Sequence, residues 1–83
     1  MMKHAVLLFG KKDCSLCEGW KRKLNHLDIK YDYYDTSTVE GMAEMAFNNV
    51  GRIPALVIGP ARFEEVGPAE ITSEQIQKLI DGQ

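Results

Sequence analysis

Two of the 83 residues are thiols, and they stand three apart in Cys14-Ser15-Leu16-Cys17. On a helical turn that spacing brings two β-carbons to about 5–6 Å. A disulfide wants its α-carbons about 5.5–6 Å apart, so a modest rotation of the first cysteine lets the pair close without moving the chain around it. Cys14 follows an apolar run and begins a helical pattern. It therefore falls at a helix N-terminus, where unpaired N–H groups and the positive end of the dipole favour an anion. Such sites lower a thiol pKa from about 8.5 to roughly 3.5–7.5, and the thiolate is the nucleophile. Lys11 and Lys12 add positive potential beside it, and Asp13 opposes them. Cys17 lies one turn further in, on the face of Trp20 and Leu24, and is expected to be more buried and less acidic. The roles then divide: Cys14 attacks a substrate disulfide and Cys17 resolves the mixed disulfide.

The same thiols admit other chemistry. Two thiolates make half of a tetrahedral zinc or copper site, which His4 or His26 would have to complete, unless a second chain shares a bridging metal or cluster. His4 opens the first strand and His26 ends the first helix, so both are expected to point away, and no metal ligand is assigned. A binding module that keeps the fold without exchange activity is a third reading. One rapidly alkylated thiol marks the redox protein, stoichiometric zinc or copper the metal protein, and two slow thiols the binding module.

The elements that must position the cysteines are legible from pattern. His4-Ala5-Val6-Leu7-Leu8-Phe9, ended by Gly10, is too short for a helix and reads as a central strand covered on both faces. From Asp13–Ser15 to about Leu27, apolar Cys17, Trp20, Leu24 and Leu27 recur at helical spacing, with Glu18 and Arg22 as an i,i+4 pair. Tyr31–Asp35 reads as a second strand, parallel to the first across a right-handed crossover. Ser37 and Glu40 match a capping box, and Val39, Met42, Met45 and Ala46 supply the apolar face of a second helix. Ala55–Ile58 and the more polar Arg62–Val66 flank Gly59-Pro60 as an antiparallel hairpin whose outer strand is a sheet edge. Thr72 and Gln75 match another capping box before Ile76, Leu79 and Ile80. The expected architecture is α/β, in the order β-α-β-α-β-β-α, with a four-stranded mixed sheet and helices on both faces, in one domain over residues 1–83.

Composition narrows the partners. Ten Lys and Arg against twelve Asp and Glu give a net charge of −2, with 45% apolar residues, ordinary for a globular domain. Residues 1–30 carry +4 and residues 31–83 carry −6, so positive charge surrounds the cysteines. That is too little, with too few interleaved aromatics, for a nucleic-acid footprint. The run Ala5–Phe9 is far short of the roughly 20 residues that span a bilayer, and too short for a secretory signal. A cytoplasmic monomer is expected, and a close cysteine pair there is redox-active or metal-binding more often than structural.

Phe9-Gly10-Lys11-Lys12-Asp13-Cys14-Ser15-Leu16-Cys17, followed by Gly51-Arg52-Ile53-Pro54-Ala55-Leu56-Val57, resembles the glutaredoxin-like branch of the thioredoxin superfamily over about residues 3–82. The resemblance implies a thioredoxin-like fold and thiol–disulfide oxidoreduction by Cys14 and Cys17, with no prosthetic group. It implies a cis peptide before Pro54, which packs beside the cysteines, although X-Pro bonds are cis in only about 5% of cases. It makes Ile53 a residue that pairs with an extended substrate segment. Lys11 matches a lysine that lends charge to the thiolate and to a substrate carboxylate. The substrate is then a disulfide-containing protein or small molecule, and the reductant a flavoprotein of the thioredoxin-reductase kind or glutathione. Departures bear on that choice. The residues between the cysteines are Ser15-Leu16 where glutaredoxins have Pro-Tyr. The Gly-Gly turn that helps them hold glutathione is replaced by Val66-Gly67-Pro68-Ala69-Glu70, so weak glutathione use is expected. The buried acid of the thioredoxin first strand has no counterpart in Ala5–Phe9.

Overall fold

The apolar run at the N-terminal end forms β1 (Val6–Gly10), and four of its five residues are buried. A computed structural model describes residues 3–82 of the protein. Beside β1 on one side lies β2 (Asp32–Asp35), parallel to it, and on the other β3 (Ala55–Ile58), antiparallel. The outer strand β4 (Ala61–Glu64) pairs antiparallel with β3, giving the sheet order β2-β1-β3-β4. Helix α1 (Ser15–His26) joins β1 to β2, α2 (Val39–Phe47) follows β2, and α3 (Ser73–Ile80) follows β4 after a 3₁₀ turn at Pro68–Glu70. The expected order and the four-stranded mixed sheet are both present.

Strand alternation explains why helices are needed on two sides. Val6 and Leu8 of β1 join Leu56 and Ile58 of β3 in a core closed by Trp20 and Leu24 of α1 and Ile76 and Ile80 of α3. The intervening residues Phe9, Ala55 and Val57 face the other way and pack with Val50, Tyr34 and Met45. A central strand can be apolar throughout only if both faces are covered. Full burial of Leu8, Leu24, Ile58 or Ile76 stabilises by about 1.5–3 kcal/mol each. Trp20 adds a polar tie, donating Nε1–H to the Val66 carbonyl at 2.7 Å. Trp20→Phe should therefore lower stability by about 2–3 kcal/mol, from an orphaned carbonyl plus lost volume. Urea unfolding followed by circular dichroism would measure it, and a loss under half a kcal/mol (about the scatter for inert surface changes) would refute the bond's contribution.

Several local expectations are corrected by the structure. Ser37 does not cap α2, because the Asp35 carboxylate captures both its N–H at 2.9 Å and its hydroxyl at 2.6 Å. Thr38 is the cap instead, accepting the Gly41 N–H at 2.9 Å, and the box with Glu40 does not form. The shift by one residue turns Gly41 inward. Val39 and Met42, expected on the buried face, are exposed, and Phe47 at the helix end is 85% exposed. Glu18 pairs with Lys21 at 3.2 Å rather than with Arg22, because the Lys21 ammonium is drawn 3.9 Å above the Tyr33 ring. The outer strand begins at Ala61, not Arg62, since Gly59-Pro60 is a two-residue turn that pairs Ile58 with Ala61. It ends at Glu64 because Glu65 takes a left-handed backbone, with φ of 58°.

Candidate functional site

The cysteines sit where β1 gives way to α1. Cys14 is the N-cap residue, with the extended backbone (φ −115°, ψ 107°) that lets its side chain fold back over the first turn, and Sγ accepts the Cys17 N–H at 3.2 Å. The Cys14 carbonyl already accepts the Glu18 N–H at 3.1 Å, the first bond of the helix. Cys14 and Cys17 are joined in a disulfide across a Cα–Cα distance of 5.2 Å. Cys14 is half-buried, whereas Cys17 is fully enclosed. A sulfur on this N-cap faces a helix N–H directly, which favours negative charge on it.

Gly10 makes the enclosure of Cys17 possible. A β-carbon at Gly10 would stand 2.9 Å from the Cys17 Sγ, 3.0 Å from its Cβ and 3.2 Å from the Tyr33 ring. The strand backbone thus forms the floor under the inner cysteine. Burial pushes the Tyr33 phenol up, and the Lys21 ammonium partly counters it. The Gly10 carbonyl is held by Thr36, through its N–H at 2.8 Å and its hydroxyl at 3.2 Å.

Pro54 reaches the same end of the sheet by register. Phe9 is opposite Ala55, so the next antiparallel step sets Gly10 opposite Pro54. The Ile53–Pro54 peptide is cis, and Pro54 is buried. Ile53 is half-buried, and among the described residues its backbone N–H and C=O take part in no backbone hydrogen bond outside the regular elements. Lys11 is exposed on the connection from β1 to α1 and belongs to no ion pair among the described residues. The structure therefore gathers Cys14, Cys17, Ile53 and Pro54 at one sheet end, with Lys11 on the adjoining loop.

The histidines lie elsewhere. His4 packs against Gly59 at the far end of β1, and His26 is exposed at the end of α1. Among the described residues no group of three or more His, Cys, Asp or Glu side chains is arranged to hold a metal.

Sequence reading missed two residues, Glu64 and Glu65, which it left without a role inside the polar outer strand. The Glu64 Oε1 accepts the Gly51 N–H at 2.7 Å and the Arg52 N–H at 2.8 Å. Glu65 donates its N–H to the Pro54 carbonyl at 2.8 Å, and its carboxylate meets Arg52 at 2.8 Å. The hairpin held the signal. Counting back from the two-residue turn pairs Glu64 with Ala55, beside the Ile53-Pro54 bend.

The Gly51 N–H, then the Arg52 N–H, hold the Glu64 carboxyl below the usual Glu value of 4.5. A depressed carboxyl stabilises the folded state above its ordinary pKa, and that stabilisation disappears as pH falls through the lowered value. Gly51 and Arg52 amide exchange, corrected for intrinsic rates, should thus stay protected at pH 6 and lose protection only below pH 4.5. Protection lost already above that value would contradict the assignment.

No known protein family, curated protein or solved structure matches the chain. Its fold and site define a small α/β protein with a four-stranded mixed sheet, three helices and a Cys-x-x-Cys disulfide at the sheet end where α1 begins.

Proposed function

We propose that this chain is a glutaredoxin-like dithiol–disulfide oxidoreductase with a thioredoxin-like fold. The observation that carries this reading is the unequal pair: a half-buried Cys14 on the cap of α1, its sulfur facing the Cys17 N–H, and an enclosed Cys17 5.2 Å away between α-carbons. The element order and the mixed sheet also support it.

The reaction balances on the two cysteines alone. The Cys14 thiolate attacks one sulfur of a substrate R–S–S–R′, forming a Cys14–S–S–R bond and releasing R′S⁻, which takes a proton to become R′SH. Cys17, having given up its proton, attacks the Cys14 sulfur, closes the internal disulfide and releases RS⁻, which leaves as RSH. Two electrons and two protons pass from the dithiol to the substrate, and the protein is left in the oxidised form described above. No prosthetic group takes part. A two-electron reductant, either a thioredoxin-reductase-like flavoprotein or two molecules of glutathione, restores the dithiol in the cytoplasm. Substrates are proteins or small molecules bearing a disulfide, approached through Ile53 and Pro54, with Lys11 lending positive charge; the protein acts as a monomer.

Glutathione is the weaker reductant. The Gly67 N–H in the turn before α3 is already taken by the Glu70 carboxylate at 2.7 Å, so this turn offers it to no ligand. Turnover with glutathione alone should be slower than with a flavoprotein reductase, and equal rates would reverse the assignment.

Iodoacetamide alkylation of the reduced protein across pH tests the function itself. One thiol, identified as Cys14 by mass spectrometry, should react with a midpoint within roughly pH 3.5–7.5. Two thiols that both titrate near the free-cysteine value of about 8.5 would overturn the redox reading.

A further inference from the structure

We propose that Glu64 is a positioning residue for disulfide exchange, its carboxylate setting the Gly51–Pro54 bend so that the Ile53 backbone stands ready for a substrate beside the cysteines. This rests on the redox reading. Three observations converge on it. One carboxylate oxygen spans two consecutive N–H groups, of Gly51 and Arg52, at 2.7 and 2.8 Å. The other meets the Arg62 Nε at 3.1 Å, which fixes the rotation of the carboxylate. On the far side of Ile53, the Glu65 N–H holds the Pro54 carbonyl at 2.8 Å. Ile53 is thus bracketed by bonds to Glu64 on one side and to Glu65, just past β4, on the other, and among the described residues it has no such backbone bond itself.

Those anchors come from the edge of the sheet, across 12 and 13 residues of sequence. They align the bend with β3 and leave α1 untouched. Removing the carboxylate should loosen the surface a substrate meets without altering the sulfur. Such an effect belongs to substrate association and not to nucleophilicity. Charge-assisted hydrogen bonds to a carboxylate are stronger than neutral ones, so the loss should be large enough to measure.

The test mixes fully reduced protein with excess of a short linear peptide carrying one internal disulfide, and follows single-turnover oxidation. In Glu64→Ala the half-saturating peptide concentration should rise about tenfold, the loss of charged hydrogen bonds read through binding. The limiting rate and the pH midpoint of Cys14 alkylation should stay at the wild-type values. Glu64→Gln keeps an oxygen able to accept both N–H groups and should restore part of the affinity, whereas Glu64→Asp, one methylene short, should not. If Glu64→Ala fails to fold, the contrast between Gln and Asp decides. Unchanged half-saturation in the Ala and Asp variants, a shifted alkylation midpoint, or Gln as impaired as Asp would each overturn the proposal. Failure of the wild-type protein to oxidise at all would instead bring down the redox reading together with it.

Discussion

Cys14→Ser should abolish disulfide reduction, with a loss of at least about 10³-fold, because a serine hydroxyl stays protonated where a thiol on this cap ionises. Cys17→Ser should behave differently. It retains the attacking sulfur and loses only the one that closes the internal disulfide, so a mixed disulfide with substrate should accumulate and be visible as a mass adduct on Cys14. The asymmetry follows from the surroundings of the two sulfurs. Cys14 is half-buried, with its sulfur over the first turn of α1. Cys17 is fully enclosed and lies 2.9 Å from where a Gly10 side chain would begin. Disulfide exchange needs access to the sulfur attacking, and enclosure keeps an external substrate from the Cys17 sulfur while leaving the Cys14 sulfur within its reach. An adduct forming in Cys14→Ser, with none in Cys17→Ser, would invert the assignment of roles.

The positions of the cysteines were legible because the signals around them are local. A continuous apolar strand, a glycine and a helical repeat beginning with Cys14 fix where the chain turns, and Trp20 and Leu24 fix which side of α1 faces inward. The bend at Pro54 was legible only through resemblance, since no local pattern selects a cis peptide. What escaped was side-chain competition. Ser37 matches a capping box by pattern, but the Asp35 carboxylate occupies it and Thr38 caps in its place. Glu64 looks like one more charge on an edge strand until hairpin register places it opposite Ala55, within reach of the Gly51 and Arg52 amides. Both outcomes depend on which of several polar groups is nearest, and periodicity carries no information about that.

Gly41→Ala is the substitution where local preference and tertiary packing disagree most sharply. Within a helix, alanine is favoured over glycine by roughly 0.5–1 kcal/mol, which predicts that the change stabilises α2. The packing predicts the reverse. A β-carbon at Gly41 would lie 1.8 Å from the Asp35 carbonyl oxygen and 2.5 Å from its carbon. Neither partner is a side chain that can rotate away. The Asp35 carbonyl is itself held by the Thr38 hydroxyl at 2.7 Å and the Thr38 N–H at 3.1 Å, so moving it undoes the start of the helix. Relief therefore requires α2 to lift from the end of β2, which gives up its cap as well as its contact. Overpacking alone costs about 1–3 kcal/mol and a lost N-cap about 1 kcal/mol, so a net destabilisation of about 3 kcal/mol is expected. A domain of this length holds only about 4–12 kcal/mol by the usual per-residue scale, making that loss a quarter or more of the whole. Ala43→Gly supplies the control: Ala43 is exposed on the same helix, and the change should cost only the propensity difference, about 1 kcal/mol. If urea midpoints show Gly41→Ala to be the more stable protein, the close approach of α2 to Asp35 is wrong, and the exposed face of Val39, Met42 and Phe47 is wrong with it.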